Sequence, residues 1–193
     1  MLCARDGMAG NATLKGEPMA TGRSNKLVGQ VGEFLVCAEL GRRLGLIATP
    51  FSGNVPGYDI IATNERGASK LIQVKANNGG KTWQLSGDKY LDLRFNPKTN
   101  RQTIHGRTRL QDPNTICIFV WLSRNRDVAD RFFILTRRQF QKIVHEHYAA
   151  NLHRHDGKRP KSPESLHTAI GIAELEAFED NWQLVVDATR RKR

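Results

Sequence analysis

Residues 58–75 read YDIIATNERGASKLIQVK, and this stretch predicts a β-hairpin. Two runs rich in β-branched residues flank a three-residue loop, in which Gly67 suits the left-handed position of such a turn. With Arg66 at the tip, Asp59 faces Gln73 across the hairpin. Because side chains alternate along a strand, Asp59, Gln73 and Lys75 share one face. The opposite face is apolar and can enter a core: Ile60, Ile72 and Val74.

Upstream of the hairpin, residues 25–45 carry apolar side chains at the spacing of one helical stripe. Glu33 lies away from the centre of that stripe. Gly29 and Gly32 lie near the same side as Glu33, which predicts close approach of another backbone there. The predicted stripe comprises Leu27, Val28, Val31, Phe34, Leu35 and Ala38.

Downstream of the hairpin, the pattern alternates between short strands and one long helix. Strands are predicted at 83–85, 115–123, 131–135 and 167–172, after an earlier one at 46–50, and 90–95 is predicted to be either a strand or a short helix packed beside the sheet. Thr136 is predicted to cap a helix that runs to about Leu152, and 174–186 reads as one or two short helices. The segments 96–113 and 153–165 are polar and basic and are predicted to be exposed loops. This order indicates an α/β fold with a central mixed β-sheet flanked by helices.

The length of 193 residues predicts a single domain, placed at 25–187. Residues 1–24 show no periodicity and are expected to be disordered, and 188–193 form a basic tail. The longest apolar run, 116–122, is too short to cross a bilayer, and the N-terminal residues lack the apolar core that a secretion signal requires. Three cysteines give no even disulfide framework, so a reducing cytoplasm is expected, without membrane association.

The charge balance is strongly basic. Thirty Lys and Arg against nineteen Asp and Glu give a formal charge of +11, which favours a polyanionic partner, most often nucleic acid. The alternative is a protein that is basic but has no such partner. Binding to a membrane surface is less favoured, because the sequence shows no strongly basic amphipathic helix. The side chains predicted to contact phosphates are Lys81, Lys98, Arg101, Arg107, Arg109, Arg154, Lys158, Arg159 and Lys161.

A carboxylate, an amide oxygen and an ammonium at one end of a hairpin suit metal-assisted hydrolysis of phosphodiesters. Mg²⁺ prefers oxygen ligands, and Mn²⁺ is a possible substitute. Asp59 is the predicted main ligand, joined by the side-chain oxygen of Gln73 and the carbonyl of Val74. Glu33 would reach the metal directly or through water. Lys75 would orient the attacking water or stabilise the developing charge.

A glutamate-bearing helix, then an Asp strand, then a strand ending in x-x-Lys resembles the PD-(D/E)xK nuclease superfamily. The resemblance covers roughly residues 25–80 and rests on Glu33, Asp59, Gln73 and Lys75. It implies a restriction-endonuclease-like or Holliday-junction-resolvase-like sandwich, a metal-dependent activity on DNA, and a homodimer. Gln73 stands where the family usually has Asp or Glu, which lowers the negative charge of the site by one. Tyr58 stands where the family name has Pro.

The predicted function is a Mg²⁺-dependent endodeoxyribonuclease. Taken singly, each site residue is more often a solvated or turn residue, and the shared face is what favours chemistry. Gln73 keeps open a second reading, a catalytically weak or inactive nucleic-acid-binding module of the same fold. A third reading is a component of a repair or defence complex that is active only with a partner.

Overall fold

The computed structural model describes residues 21–52 and 57–189, and for 21–24 only the backbone. The predicted disorder of 1–24 and the basic tail therefore lie mostly outside the described residues. Helix α1 begins at residue 21, four residues before its predicted start. The elements are α1 Thr21–Leu44, β1 Ile47–Pro50, β2 Ile60–Thr63, β3 Ser69–Asn78, β4 Thr82–Ser86, β5 Leu91–Asn96, β6 Arg101–Arg107, β7 Ile116–Leu122, β8 Arg131–Thr136, α2 Arg137–Arg154, β9 His167–Gly171, α3 Ile172–Leu175 and α4 Gln183–Thr189, with 3₁₀ turns at Gly87–Lys89 and Glu176–Phe178.

Five strands form the main sheet, in the order β1-β2-β3-β7-β8. Strands β3 and β7 are parallel, and the other neighbours are antiparallel, so the sheet is mixed. Helices lie on both of its faces. The predicted α/β class with a central mixed sheet is therefore confirmed, while the restriction-endonuclease-like arrangement stays a prediction.

The central hairpin has the predicted register. Ile60 pairs with Ile72 and Thr63 pairs with Ser69. At the turn, Gly67 has a φ of 74°, the left-handed conformation expected of it. The amide of Gly67 donates to the carbonyl of Asn64 at 2.9 Å, which closes the loop. Asp59 directly precedes β2, so it lies at the open end of the hairpin.

Two apolar clusters sandwich the sheet. On one face, α1 and α4 cover side chains that include Ile60, Ile72 and Val74, as the alternation predicts. On the other face, α2 packs with β4 and β9 over Cys117 and Phe119 of β7. Gln73 and Lys75 are the register partners of Cys117 and Phe119, so they lie on the α2 side of the sheet.

The buried face of α1 differs from the predicted stripe. Val28, Gly32, Val36 and Leu40 are buried, whereas Leu27, Val31 and Phe34 are 48%, 38% and 55% exposed. A Cβ added at Gly32 would lie only 2.5 Å from the Cβ of Ala76. Because α1 approaches β3 so closely at Gly32, the buried face of the helix is the row of residues at four-residue intervals from Val28 to Leu40. The predicted stripe is rotated away from β3.

The predicted long loop 96–113 is wrong, because residues 101–107 form β6. This strand pairs antiparallel with β5, from Asn96 opposite Arg101 to Leu91 opposite Arg107, with an irregularity in register at Asp92 and Leu93. Asn100 has a positive φ of 53° in the tight turn between the strands. The sequence analysis missed this strand because a polar residue occupies its inward position. Gln102 is only 2% exposed, and it forms hydrogen bonds with segments that are distant in the chain.

Candidate active site

Asp59 joins the two strands of the hairpin at its open end. Its backbone amide donates to the carbonyl of Ile72 at 2.9 Å, and its Oδ2 accepts the amide hydrogen of Val74 at 2.7 Å. Strand β2 begins only at Ile60 and offers the Val74 amide no backbone acceptor, so the Asp59 carboxylate accepts that hydrogen bond in its place. One carboxylate oxygen is fixed in this way, and Oδ1 has no such bond to the backbone of β3. Burial raises the pKa of Asp59, against the lowering effects of the Val74 amide and of Lys75.

Lys75 is partly buried on the α2 side of β3. Burial lowers its pKa, and the opposing charge of Asp59 acts to raise it. Trp83 fixes the backbone here, because its indole Nε1 donates to the carbonyl of Lys75 at 3.1 Å. Trp83 is itself a core residue, at 4% exposure. The Lys75 ammonium is therefore held on a rigid strand, and its charge interacts with that of the Asp59 carboxylate.

Glu33 approaches the same carboxylate from α1. Burial raises the pKa of Glu33, and the negative charge of Asp59 raises it further. Glu33 in turn adds to the raised pKa of the Cys37 thiol, one helical turn further along. Asp59 thus interacts with both Lys75 and Glu33, and two carboxylates repel each other at this point in a partly desolvated position.

Gln73 has a neighbour that the sequence did not indicate. The thiol of Cys117 donates to Oε1 of Gln73 at 3.9 Å across the parallel strand pair. Burial raises the pKa of Cys117 to about 11, so the thiol keeps its proton at neutral pH. The amide oxygen, which is the atom predicted to bind a metal, therefore accepts a weak hydrogen bond from sulfur.

Arg137 is a site residue that the sequence analysis missed. It is the first residue of α2, and its guanidinium donates to the carbonyl of Gly57 at 2.7 Å, two residues before Asp59. Its positive charge lowers the pKa of the Cys117 thiol and adds to the lowering of the pKa of Lys75. Thr136 caps α2 as predicted, so the position of Arg137 at the helix start was foreseeable. Its place beside β3 was not, because that depends on how β8 aligns across the sheet.

The donor set suits a hard divalent cation. Two carboxylates with raised pKa values, Glu33 and Asp59, and the amide oxygen of Gln73 offer oxygen atoms only, which Mg²⁺ and Mn²⁺ prefer. Among the described residues, no group of three or more His, Cys, Asp and Glu side chains is arranged to hold a metal. A metal here would use few protein ligands and keep several waters, as Mg²⁺ commonly does. The Val74 carbonyl stays a predicted ligand.

The predicted phosphate-contacting residues differ in their surroundings. Arg101 forms an ion pair with Asp156. Arg159 is partly buried, donates to the carbonyls of Ser165 and His167, and lies 5.7 Å from the ring centroid of Tyr148, so its guanidinium already binds the protein. The remaining predicted residues are exposed: Lys81, Lys98, Arg107, Arg109, Arg154, Lys158 and Lys161.

No family model matches the chain, and no curated protein matches it. Among solved structures, the chain is similar to a bacterial homing endonuclease, I-Ssp6803I, with a TM-score of 0.46 and 11% identity. The match covers 85% of this chain and 94% of that one. In the described part of the chain, every helix is too short or too polar to cross a membrane.

Proposed function

We propose that the protein is a metal-dependent nuclease that hydrolyses phosphodiester bonds in DNA. The observation that carries the proposal is the position of Asp59 at the open end of the hairpin, where its carboxylate is held by the Val74 amide and interacts electrostatically with Lys75 and Glu33. Burial raises the pKa of both carboxylates, and carboxylates with perturbed pKa values close to a lysine are typical of functional sites. The formal charge of +11 supports a polyanionic substrate.

Each residue has a distinct task in this proposal. Asp59 and Glu33 would hold the cation, with Gln73 and the carbonyl of Val74 as further oxygen ligands. A bound Mg²⁺ or Mn²⁺ would supply the Lewis acid that activates water and neutralises developing charge. Lys75 would orient the attacking water or stabilise the charge on the phosphate in the transition state.

A homodimer belongs to the same proposal. Cutting both strands of a duplex favours two active sites related by a two-fold axis. The exposed apolar side chains of α1, Leu27, Val31 and Phe34, form the surface that a second copy would cover.

Gln73 supports a second candidate, a nucleic-acid-binding module of the same fold without strong catalysis. Its neutral amide gives the site one negative charge fewer than an Asp or Glu would, and its oxygen is turned toward Cys117. Such a module would bind DNA with a steep salt dependence and would not cut it.

The two candidates separate in a cleavage assay on supercoiled plasmid and on a branched junction. For a nuclease, Lys75→Ala abolishes cleavage in Mg²⁺ while DNA binding stays close to that of the wild type. Lys70→Ala is the matched control, because Lys70 lies on the same strand, faces the other side of the sheet, and carries the same charge. Cleavage by Lys75→Ala at the wild-type rate would show that the site is wrongly assigned.

A further inference from the structure

Strands β5 and β6 form a two-stranded ribbon with one exposed polar face. Arg94 pairs directly with Thr103 in the register, so both project from the same face, and His105 follows two residues after Thr103. All three are exposed; the side chain of Arg94 is 66% accessible, and its Nε lies 3.8 Å from Oδ1 of Asp92. The hydroxyl of Thr103 lies 3.1 Å from Nε2 of His105. The middle of the ribbon thus presents a row of hydrogen-bonding groups to solvent.

The opposite face of the ribbon is fixed to the domain. Leu93 and Ile104 pack against the apolar cluster under α2. Gln102 is buried, donates to the carbonyls of Pro163 and Ser165, and accepts from the hydroxyl of Tyr148. These contacts hold the ribbon rigidly, so its outer face has a defined shape before any ligand binds.

The base of the ribbon adjoins the candidate active site. Nε2 of Gln141, on α2, donates to the carbonyls of Tyr90 and Thr108 at 2.8 Å each, which joins the two ends of the ribbon. The ring of Tyr90 contacts Phe140, which contacts Phe119, the register partner of Lys75. A strand of seven residues spans about 20 Å, so the ribbon reaches over roughly six base pairs from the site.

The ribbon is strongly basic. Residues 91–109 contain five basic side chains and one acidic side chain, Asp92. A two-stranded antiparallel ribbon is one of the two elements that the major groove of B-DNA admits, and Arg, Thr and His present donors that match base edges there. An acidic peptide would complement the charge, but it would not require a rigid face of mixed hydrogen-bonding groups.

We propose that the β5–β6 ribbon lies in the major groove of duplex DNA and that Arg94, Thr103 and His105 read base edges. The proposal rests on the proposed function in that the substrate is DNA, and it adds that the protein recognises a sequence. The flanking side chains Lys98, Arg107 and Arg109 contact phosphates, which position the ribbon without specifying bases.

The test is a binding selection from duplex DNA with a randomised central segment, performed in EDTA so that cleavage plays no part. The wild type is expected to enrich a short consensus. Arg94→Ala is expected to lose the preference at one or two positions by roughly 5- to 100-fold, with non-specific affinity nearly unchanged. Arg126→Ala is the control, because it removes one exposed guanidinium from the turn between β7 and β8 and should keep the consensus. Thr103→Val, which keeps the shape of the side chain, is expected to alter an adjacent position.

The ribbon proposal is overturned if the wild type binds without enriching any sequence, or if the consensus is unchanged in both ribbon variants. Failure of the wild type to bind duplex DNA overturns it as well. A consensus without metal-dependent cleavage would support the ribbon and refute the nuclease. Cleavage without sequence preference would do the reverse, so the two proposals fail separately.

Discussion

Gly32→Ala tests the contact that sets helix α1 against the sheet. A Cβ at this position would lie 2.5 Å from the Cβ of Ala76 and 3.7 Å from Cγ1 of Val74. Carbon atoms pack best at about 3.5–4.0 Å, so the helix would have to move away from β3 by about 1 Å. Overpacking of this kind costs about 1–3 kcal/mol of unfolding free energy.

Gly29→Ala is the matched control on the same helix, since a Cβ there meets nothing within 4 Å. Both substitutions gain about 1 kcal/mol from the better helix propensity of Ala, so this gain cancels in the comparison. Gly32→Ala is therefore expected to be less stable than Gly29→Ala by about 1–3 kcal/mol. For a protein of this size, that difference lowers the Tm by roughly 2–12 °C.

Urea unfolding followed by circular dichroism measures the difference between the two variants. Ala76→Gly removes the opposing Cβ, so the double variant Gly32→Ala/Ala76→Gly should recover stability relative to the sum of the single effects, with a coupling of about 1 kcal/mol or more. Equal stabilities of the two alanine variants, together with additive effects in the cycle, would refute the packing described for α1.

Three further predictions concern the site and the surface. Arg137→Ala is expected to reduce cleavage at least 10-fold because it frees the segment before Asp59, whereas the exposed neighbour substituted in Arg138→Ala should have little effect; equal rates would remove Arg137 from the site. Burial raises the pKa of Asp59 in the folded state, so the metal-free protein loses stability as the pH rises through that folded pKa. Asp59→Asn cannot ionise and should therefore resist urea better than the wild type at pH 7. This advantage should vanish below the unfolded pKa of about 3.9, where Asp59 is protonated in both states. Phe34→Glu should convert a dimer to a monomer in sedimentation equilibrium, and a wild type that is monomeric at every concentration contradicts the dimer.

The hairpin could be predicted because its determinants are local. Alternation of side chains set the two faces, and Gly67 set the turn, so the register followed from the chain between Ile60 and Ile72. The neighbourhood of Asp59 and Lys75 followed from the same register. Local signals were also sufficient for the start of α2, where Thr136 caps the helix.

Features that depend on distant segments could not be predicted. The buried face of α1 is decided by Ala76 on another element, and the apolar periodicity alone pointed to an adjacent face. Strand β6 places Gln102 inward, which is stable only because Tyr148 and the segment around Ser165 supply hydrogen bonds. Arg137 reaches the site through the alignment of β8 with β7, which no short motif encodes.

The measurement that tests the central claim most directly is cleavage of supercoiled plasmid by the wild type and by Asp59→Ala, in Mg²⁺, in Mn²⁺ and in EDTA. The account predicts cutting by the wild type only with a divalent cation, and its loss in Asp59→Ala while salt-sensitive DNA binding remains. Binding by the wild type without cutting in either metal, or undiminished cutting by Asp59→Ala, would contradict a metal-dependent nuclease site at the open end of the hairpin.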